Sequence, residues 1–293
     1  MAPRTALSTS GFVRRSKRHK GWRALALAAA LMLAPPAAAE VPQRVVSINL
    51  CTDQLAMLLA APGQLVSVSN LSRDPLASAM AEQAAAYPEN HGLAEEVFSL
   101  RPDLVLAGTF TSPATTGLLR RLGVRVETFA PASDMAAVRA EILAMGTALG
   151  RDEAARVMVA QFDADLAALR ADPATGPRAA LYHANSYSLG DKTLSGQILA
   201  AAGFRNVAAE AGLSIGGTLP LEVLILAHPE LVISGQRYPG ASRSEEVLDH
   251  PALAALGTAS ARAAMADRDW ICGTPYVLRA VRALRAARDG LTE

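Results

Sequence analysis

The sequence is poor in lysine, aromatic residues and cysteine, and each shortage restricts the functions or structural features that we expect. Lysine occurs only at Lys17, Lys20 and Lys192 among 293 residues. Nucleic acid binding depends on clustered Lys and Arg, so we expect no nucleic acid partner. Aromatic residues make up 4% of the chain, which makes the position of each one informative. Cysteine occurs twice, at Cys51 and Cys272, an even count that permits one disulfide in an oxidising compartment.

Residues 1–39 have the composition of a secretory signal peptide. A basic stretch from Arg14 to Arg23 precedes an apolar run at 24–34, and three alanines at 37–39 form a cleavage site. The apolar run is too short to cross a membrane, which takes ~20 residues in a helix. We therefore predict export and cleavage, by either the general or the twin-arginine route. No Cys stands at the cleavage point, so a lipid anchor is not expected.

Removal of this segment changes the charge balance. Seven of the 28 basic residues and none of the 27 acidic residues lie within it, which leaves 21 against 27 and a net charge of −6 with His neutral. The mature protein is thus predicted to be mildly acidic. The roughly 250 remaining residues are enough for two lobes with cores of their own.

A segment that occurs twice, 127 positions apart, predicts two similar lobes. Residues 95–108 and 222–235 share a Glu at the start, a Pro followed by an acid, a Leu-Val pair and a final Gly. Each copy has the pattern of a short amphipathic helix, a turn at Pro and a buried strand. The matching positions are Glu95 with Glu222, Pro102 with Pro229, Leu104 with Leu231, Val105 with Val232 and Gly108 with Gly235.

The remaining pattern predicts an α/β fold with central parallel sheets. Short strands rich in β-branched residues alternate with helices along the chain, before and after each repeated segment. This alternation is typical of parallel sheets covered by helices on both faces. Residues 133–171 lack Pro, and apolar residues recur there at helical spacing, so residues 152–171 are predicted to form one long helix. We expect an N-terminal lobe at 40–150, a linking helix at 151–172 and a C-terminal lobe at 173–293. The last lobe is predicted to include one helix at 245–256.

Three motifs together resemble the periplasmic solute-binding proteins for cobalamin and ferric siderophores. They are Arg-Val-Val-Ser-Ile-Asn-Leu-Cys-Thr-Asp-Gln-Leu at 44–55, Arg-Pro-Asp-Leu-Val-Leu-Ala at 101–107 and Arg-Asp-Trp at 268–270 with a Pro five residues later. The resemblance covers nearly all of the chain after residue 42. It implies two α/β lobes joined by one long helix, a ligand held between them, no catalysis, no cofactor, and delivery to an ATP-driven importer of the inner membrane. We expect a monomer in the periplasm.

The ligand site is predicted at the carboxyl ends of the strands, where ligands bind in open parallel sheets. Four of the scarce aromatic residues fall in these segments, beside Arg, Asn and Gln side chains, and flat apolar faces with polar edges suit a corrin or a siderophore. Packing at the lobe interface is the alternative role for each of them. The ligand-binding candidates are Asn49, Cys51, Thr52, Arg73, Phe110, His183, Asn185, Tyr187, Arg237, Tyr238, Trp270 and Cys272.

Histidine and cysteine leave alternatives open. A bare transition metal takes three or four converging ligands, and only His183 and His91 are placed near strand ends, so no metal site is predicted. His183 suits either an axial ligand of haem or cobalt or a hydrogen bond within its lobe. Cys51 and Cys272 fit three roles: a disulfide that clamps the cleft, two thiols that face the ligand, or small buried residues.

The resemblance also assigns a docking role to the repeat. In that family a Glu at the place of Glu95 and Glu222 pairs with Arg on the membrane permease. The alternative is that both carboxylates only favour the N-termini of their own helices, an effect of ~0.3 to 1 kcal/mol. A haem receptor of the same type is a second possibility. An enzyme on the same architecture is a third, although the chain has neither a Gly-x-Gly-x-x-Gly nor a His-Glu-x-x-His motif.

Overall fold

Two parallel sheets, each backed by helices, form the architecture. The structure, a computed structural model, describes residues 40–235, 237, 240, 242–256 and 261–291, and only the backbone of 261–264. The predicted signal peptide at 1–39 and the candidate Tyr238 lie outside the described residues. Both sheets belong to one unit that spans Val41–Glu293.

The first lobe is a five-stranded sheet with four helices and one 3₁₀ turn at Asn70–Arg73. Its strands are β1 Val45–Ser47, β2 Leu65–Ser69, β3 Glu89–Asn90, β4 Leu104–Gly108 and β5 Arg125–Phe129. Its helices are α1 Leu50–Leu59, α2 Ala81–Ala84, α3 Ala94–Ser99 and α4 Pro113–Arg121. All neighbours are parallel, in the order β3-β2-β1-β4-β5.

Two helices follow the first sheet, α5 Met135–Leu149 and α6 Asp152–Leu169. The predicted linking helix at 152–171 corresponds to α6, which ends two residues earlier. The sequence analysis noted helical spacing across 133–171 but predicted no separate helix for α5. Gly150 ends α5 in the left-handed region at φ 67°, and Arg139 of α5 pairs with Asp163 of α6, so the two helices run against each other.

The second lobe repeats the first over four strands. Its strands are β6 Arg178–Leu181, β7 Tyr187–Leu189, β8 Arg205–Asn206, β9 Gly216–Thr218, β10 Leu231–Gly235 and β11 Ala261–Met265. Its helices are α7 Leu194–Ala201, α8 Val207–Glu210, α9 Leu221–Leu226, α10 Pro251–Leu256 and α11 Val277–Asp289. The parallel order β8-β6-β10-β11 matches β2-β1-β4-β5, and β7 and β9 form a separate antiparallel pair that was not predicted.

Helix α1 starts at Leu50, because the Asn49 side chain accepts hydrogen bonds from the N–H groups of Cys51 and Thr52 and caps the helix. The single helix predicted at 245–256 is wrong. A 3₁₀ turn at Arg243–Asp249 precedes α10, and His250 between them is extended, as the residue before a proline favours.

The repeat is visible in the contacts as well as in the sequence. Each copy ends its helix on a residue with positive φ, Arg101 at 51° and His228 at 46°. An arginine at the start of the first strand of each lobe then donates to the carbonyls of that helix end: Arg44 to Leu100 and Arg101, and Arg178 to Ala227. This arginine fixes the helix of the repeat against the sheet in both lobes.

One core cluster joins the lobes. Val45 and Leu104 in the first sheet, Phe162 on α6 and Leu181 in the second sheet belong to the same buried cluster. Alternate residues of the strands face away from it and are covered separately, by α3 and α4 in the first lobe and by α9 and α10 in the second. The shared cluster explains why the lobes form a single unit.

Candidate ligand-binding cleft

Equivalent strand ends of the two sheets open the candidate site. β1 is followed by Ile48 and Asn49, and β6 is followed by Tyr182 and His183. Ile48 N–H donates to Leu106 at 2.9 Å, and Tyr182 N–H donates to Ile233 at 2.8 Å, so the two segments hold the same register against β4 and β10. Asn49 and His183 therefore stand at the same position of the two lobes.

Close contacts bring the lobes together at the base of these strand ends. The sulfur atoms of Cys51 and Cys272 lie 2.12 Å apart with their Cα atoms 5.1 Å apart, which is disulfide geometry. Beside this bridge, a Cβ added to Gly273 would come within 2.1 Å of the Ala132 Cβ. Only glycine permits this approach between the lobes. Farther along, the Met135 N–H donates to the side chain of Gln197 at 2.9 Å.

A small cavity of about 70 Å³ lies where the first lobe meets this bridge. Its walls come from the ends of β1, β4 and β5, from the first turns of α1, from α5 and from the second lobe. The lining includes the predicted residues Asn49, Cys51, Thr52 and Phe110. Phe110 is 88% exposed at the rim, so its ring is available to a ligand. The remaining lining residues are Leu55, Gly108, Thr109, Phe129, Ala130, Pro131, Ala132, Glu141 and Gly273.

His183 and Trp270 form a stacked pair in the second lobe. Their ring centroids are 5.8 Å apart and the planes differ by 25°. His183 Nε2 and Trp270 Nε1 are both enclosed, and neither has a hydrogen-bond partner among the described residues. Burial lowers the pKa of the His183 imidazole, an effect that the Asp267 carboxylate opposes. The ring nitrogen thus faces protein in this conformation, and an axial bond to a metal would require the pair to move.

Asn185 and Tyr187 lie on an irregular segment after β6. Asn185 and Ser186 have φ values of 56° and 59°, a left-handed conformation that asparagine tolerates better than most residues. Tyr187 begins β7, pairs with Thr218 and is 45% exposed. Its hydroxyl lies against Gly216, where an added Cβ would come within 2.4 Å.

Both arginine candidates are engaged by acidic residues. Arg73 lies 3.2 Å from the Glu89 carboxylate and also donates to the carbonyl of Tyr87. Arg237 donates two hydrogen bonds to Asp249, at 3.0 and 2.9 Å. Each guanidinium therefore has a protein partner, and a ligand would have to compete with it.

One buried acid that the sequence analysis overlooked, Asp53, directly follows the cavity residue Thr52 on α1. The Asp53 carboxyl on α1 is fully buried and accepts from the N–H and hydroxyl of Ser69. Burial raises its pKa to about 7, although hydrogen bonds from Ser47 and Ser69 lower it. The Thr52 hydroxyl bonds Ser47 at 2.7 Å and donates to the carbonyl of Asn49. An acid among the first residues of a short helix that ends in an apolar run was the available signal for Asp53.

Glu141 is the second overlooked residue. It lies on α5 near the buried Val138 and Ile142, and burial raises its pKa. It was missed because the segment at 133–171 was treated as structural. Its place beside apolar positions of α5 was the signal.

One serine motif also escaped the sequence analysis. Gly212, Ser214 and Gly216 fit Gly-x-Ser-x-Gly, the spacing of a nucleophile elbow. That elbow turns from a strand into a helix, whereas this segment leaves α8 and enters β9. Its order is reversed, so it does not support a hydrolase.

Metal-binding clusters and membrane spans are both absent from the described residues. Within that part of the chain no three His, Cys, Asp or Glu side chains are grouped closely enough to hold a metal ion. Among the helices described there, none combines the length and hydropathy of a membrane span.

Glu95 and Glu222 occupy the first turns of α3 and α9, and both are exposed. The neighbouring Glu96 is engaged locally, since it accepts from the N–H of His91 and contacts the imidazole at 3.2 Å. The repeated glutamates are thus equivalent in position and accessible on both lobes.

Comparisons with known proteins agree with this architecture. Two cobalamin-binding proteins from strains of Halobacterium salinarum are 30% identical over 200 residues, which is 66% of this chain and 54% of each relative. The chain spans about half the length of these curated relatives.

Solved structures of low sequence identity share the fold. The periplasmic heme-binding protein RhuT of Roseiflexus sp. RS-1 superimposes with a TM-score of 0.68 at 23% identity, over 86% of this chain and 99% of that one. The vitamin B12 binding protein BtuF of Vibrio cholerae gives 0.61 at 18% identity, over 86% and 99%. Residues 45–263 match the profile of the periplasmic binding proteins. The chain therefore belongs to the periplasmic binding protein family.

Proposed function

We propose that the protein is the substrate-binding component of an ABC importer and captures a metal chelate. The observation that carries the proposal is the cavity at the strand ends, with the exposed ring of Phe110 at its rim and the second lobe at Gly273 as its wall. Ligands of open parallel sheets bind at this edge. The cavity suits ligand binding rather than catalysis, because its walls are largely apolar and its polar side chains largely form hydrogen bonds within the protein.

Cobalamin or a ferric siderophore is the proposed ligand, with cobalamin first. The relatives at 30% identity are cobalamin-binding proteins. The cavity of about 70 Å³ is far smaller than the ~300 to 1,000 Å³ of pockets that enclose a whole small molecule. A large flat chelate would therefore rest on Phe110 and place only one edge group inside.

Haem is the second candidate, and His183 is the observation that favours it. An imidazole at a strand end beside Trp270 is a potential axial ligand once the pair rearranges. Two of the proteins that share the fold, RhuT of Roseiflexus and HutB of Vibrio cholerae, are described as heme-binding. Because His183 Nε2 is enclosed by protein, haem ranks below cobalamin as the proposed ligand.

The partner in this proposal is the permease of the importer in the inner membrane. Glu95 and Glu222, one on each lobe, supply a pair of exposed carboxylates for its basic residues. The protein acts in the periplasm as a monomer after residues 1–39 are removed as a signal peptide. The lobes correspond to 40–150 and 173–293, with 151–172 as the link.

A ligand screen tests the proposal. Purified protein is titrated with cobalamin, cobinamide, haem and several ferric siderophores, and both the melting temperature and the absorbance of the chelate are followed. A ligand present at 100 times its dissociation constant stabilises the folded state by about 2.7 kcal/mol, a readily measured shift. No shift with any of these chelates would refute the proposal. Stabilisation by haem alone would replace cobalamin with the second candidate.

A further inference from the structure

Among the described residues that line the cavity, Glu141 is the only one whose side chain can carry a charge, because Cys51 is held in its bridge. It projects from α5, and the rest of the lining comes from the strand ends, from α1 and from Gly273 of the second lobe. Burial raises the pKa of Glu141, and among the described residues no charge or hydrogen bond offsets that burial.

Two other polar groups of this cavity, the Asn49 side-chain oxygen and the Thr52 hydroxyl, already have protein partners. The Asn49 side-chain oxygen accepts from two backbone N–H groups at 3.0 and 3.4 Å. The Thr52 hydroxyl is shared between Ser47 and the Asn49 carbonyl. The nearest cation on the same helix, Arg139, is paired with Asp163 and donates to the Met135 carbonyl. Glu141 is thus the charged group of the described lining to which a ligand can supply a hydrogen-bond donor.

The size of the cavity restricts what reaches Glu141. A volume of about 70 Å³ has room for a few waters or one small polar substituent. A corrin or porphyrin ring stays outside and inserts one edge group. A carboxylate group would meet a like charge in a partly desolvated place, whereas a primary amide offers two N–H donors to the Glu141 oxygens.

We propose that Glu141 determines ligand specificity by accepting a hydrogen bond from an amide substituent at the edge of the chelate and by excluding chelates that present carboxylates there. The inference rests on the proposed function and narrows its ligand to chelates with amide edges. It ranks corrins with amide side chains above haem, whose edge carries propionates.

Two corrins that differ only at the edge test this role. Dicyanocobinamide carries amides, and dicyanocobyrinic acid carries carboxylates in their place around the same ring and metal. Affinities are measured by absorbance titration for the wild type, Glu141→Gln and Glu141→Ala. Glu153→Gln is the control, because Glu153 is an exposed glutamate on α6 whose side chain is 81% accessible. Circular dichroism and melting temperatures verify that each variant is folded.

The wild type is expected to bind the amide corrin at least about tenfold more tightly, as befits a hydrogen bond to a charged group and the loss of like-charge repulsion. In Glu141→Gln the preference shrinks toward unity, mainly because the carboxylate corrin gains affinity from a new amide donor. Glu141→Ala loses affinity for the amide corrin. The control keeps the wild-type preference.

Two outcomes overturn the inference, and they differ in what else they remove. If the wild type binds corrins but Glu141→Gln and Glu141→Ala retain its preference, Glu141 has no role in specificity and the proposed function stands. If the wild type binds neither corrin, the cobalamin assignment falls together with this inference.

Discussion

Asn49 and His183 occupy the same position in the two lobes, and each lies against the glycine that ends the neighbouring strand. A Cβ added to Gly108 would come within 2.8 Å of the Asn49 amide nitrogen, and one added to Gly235 would come within 3.3 Å of His183 Nδ1. Beyond this shared position, the two side chains make different contacts. Asn49 caps α1, whereas His183 leads into the turn at Ala184–Ser186 and stacks on Trp270.

Substitution of these two glycines is expected to have unequal effects. Gly108→Ala displaces the Asn49 side chain and removes the cap of α1, so the free energy of unfolding should fall by about 1 to 2 kcal/mol. Gly235→Ala only presses the His183 ring by a few tenths of an ångström and should cost clearly less. Urea unfolding of both variants measures this. Equal losses of unfolding free energy in the two variants would show that Gly108→Ala does not act by removing the Asn49 cap.

Phe110 offers a test of binding that is separate from stability. Its ring is 88% exposed, so Phe110→Ala removes no buried contact and should leave the melting temperature unchanged. Because the ring is proposed to support the chelate, affinity should fall by about tenfold, the size of ~1.4 kcal/mol of aromatic contact. Leu226→Ala on α9 is a suitable control, since Leu226 is 76% exposed and belongs to neither the cavity nor its rim. Unchanged affinity in Phe110→Ala would remove Phe110 from the site.

The sequence predicted the scaffold well because the scaffold is periodic and repeated. The repeat located β4 and β10 and their helices, since buried β-branched strands bounded by Pro and Gly leave few alternatives. The strand-end rule likewise led to Asn49, Thr52 and Phe110, which the structure brings to one cavity. These inferences depend on local pattern alone.

What the sequence could not provide depends on contacts between distant residues. Nothing local separates Arg73 and Arg237 from ligand-binding arginines, because their partners Glu89 and Asp249 lie elsewhere in the chain. The same holds for Asp53, whose hydrogen bonds come from Ser69, sixteen positions away. Glu141 was overlooked for a different reason. The segment that contains it was interpreted as structural and was given no functional role.

Asp53 predicts a pH-dependent stability. Its folded pKa of about 7 lies above the ordinary aspartate pKa of 3.8, so the protonated form is favoured in the folded state. The stability from this group is fully present below the unfolded pKa and is lost as the pH rises through about 7. A rise in pKa from 3.8 to about 7 corresponds to at most ~4 kcal/mol.

Asp53→Asn imitates the protonated form and keeps the contacts to Ser69. Relative to this variant, the wild type should lose free energy of unfolding between about pH 4 and about pH 8. Urea denaturation across that range measures the difference. Asp191→Asn, an exposed aspartate, should follow the wild type at every pH. Parallel curves for the wild type and Asp53→Asn would contradict the raised pKa.

The bridge between Cys51 and Cys272 connects positions 221 residues apart. Its loss in Cys51→Ser/Cys272→Ser should lower the free energy of unfolding by about 2 to 5 kcal/mol, because the unfolded chain is then unconstrained. Chelate affinity should fall as well, since the bridge forms part of the cavity wall. A reductant should lower the free energy of unfolding of the wild type and leave that of the double variant unchanged. Alkylation of unreduced protein that labels two thiols would rule the bridge out.

Glu95 and Glu222 are expected to matter for transport and not for ligand binding. Both are exposed in the first turns of equivalent helices, outside the cavity lining. Individual exposed ion pairs contribute little, ~0.2 to 1 kcal/mol, but two complementary rim charges steer association and fix its orientation. The variant Glu95→Gln/Glu222→Gln removes both charges at nearly constant shape.

In this variant chelate affinity and melting temperature should match the wild type, while stimulation of the transporter's ATPase in reconstituted vesicles should fall severalfold. Because added salt screens exposed charges, the deficit should be largest at low ionic strength and should narrow as salt is raised. Glu82→Gln/Glu246→Gln, which neutralises one exposed glutamate in each lobe outside the repeat, controls for net charge. If this control lost as much stimulation as the repeat variant, overall acidity and not the two equivalent positions would drive docking. If the repeat variant instead lost chelate binding and kept full stimulation, the two glutamates would belong to the ligand site.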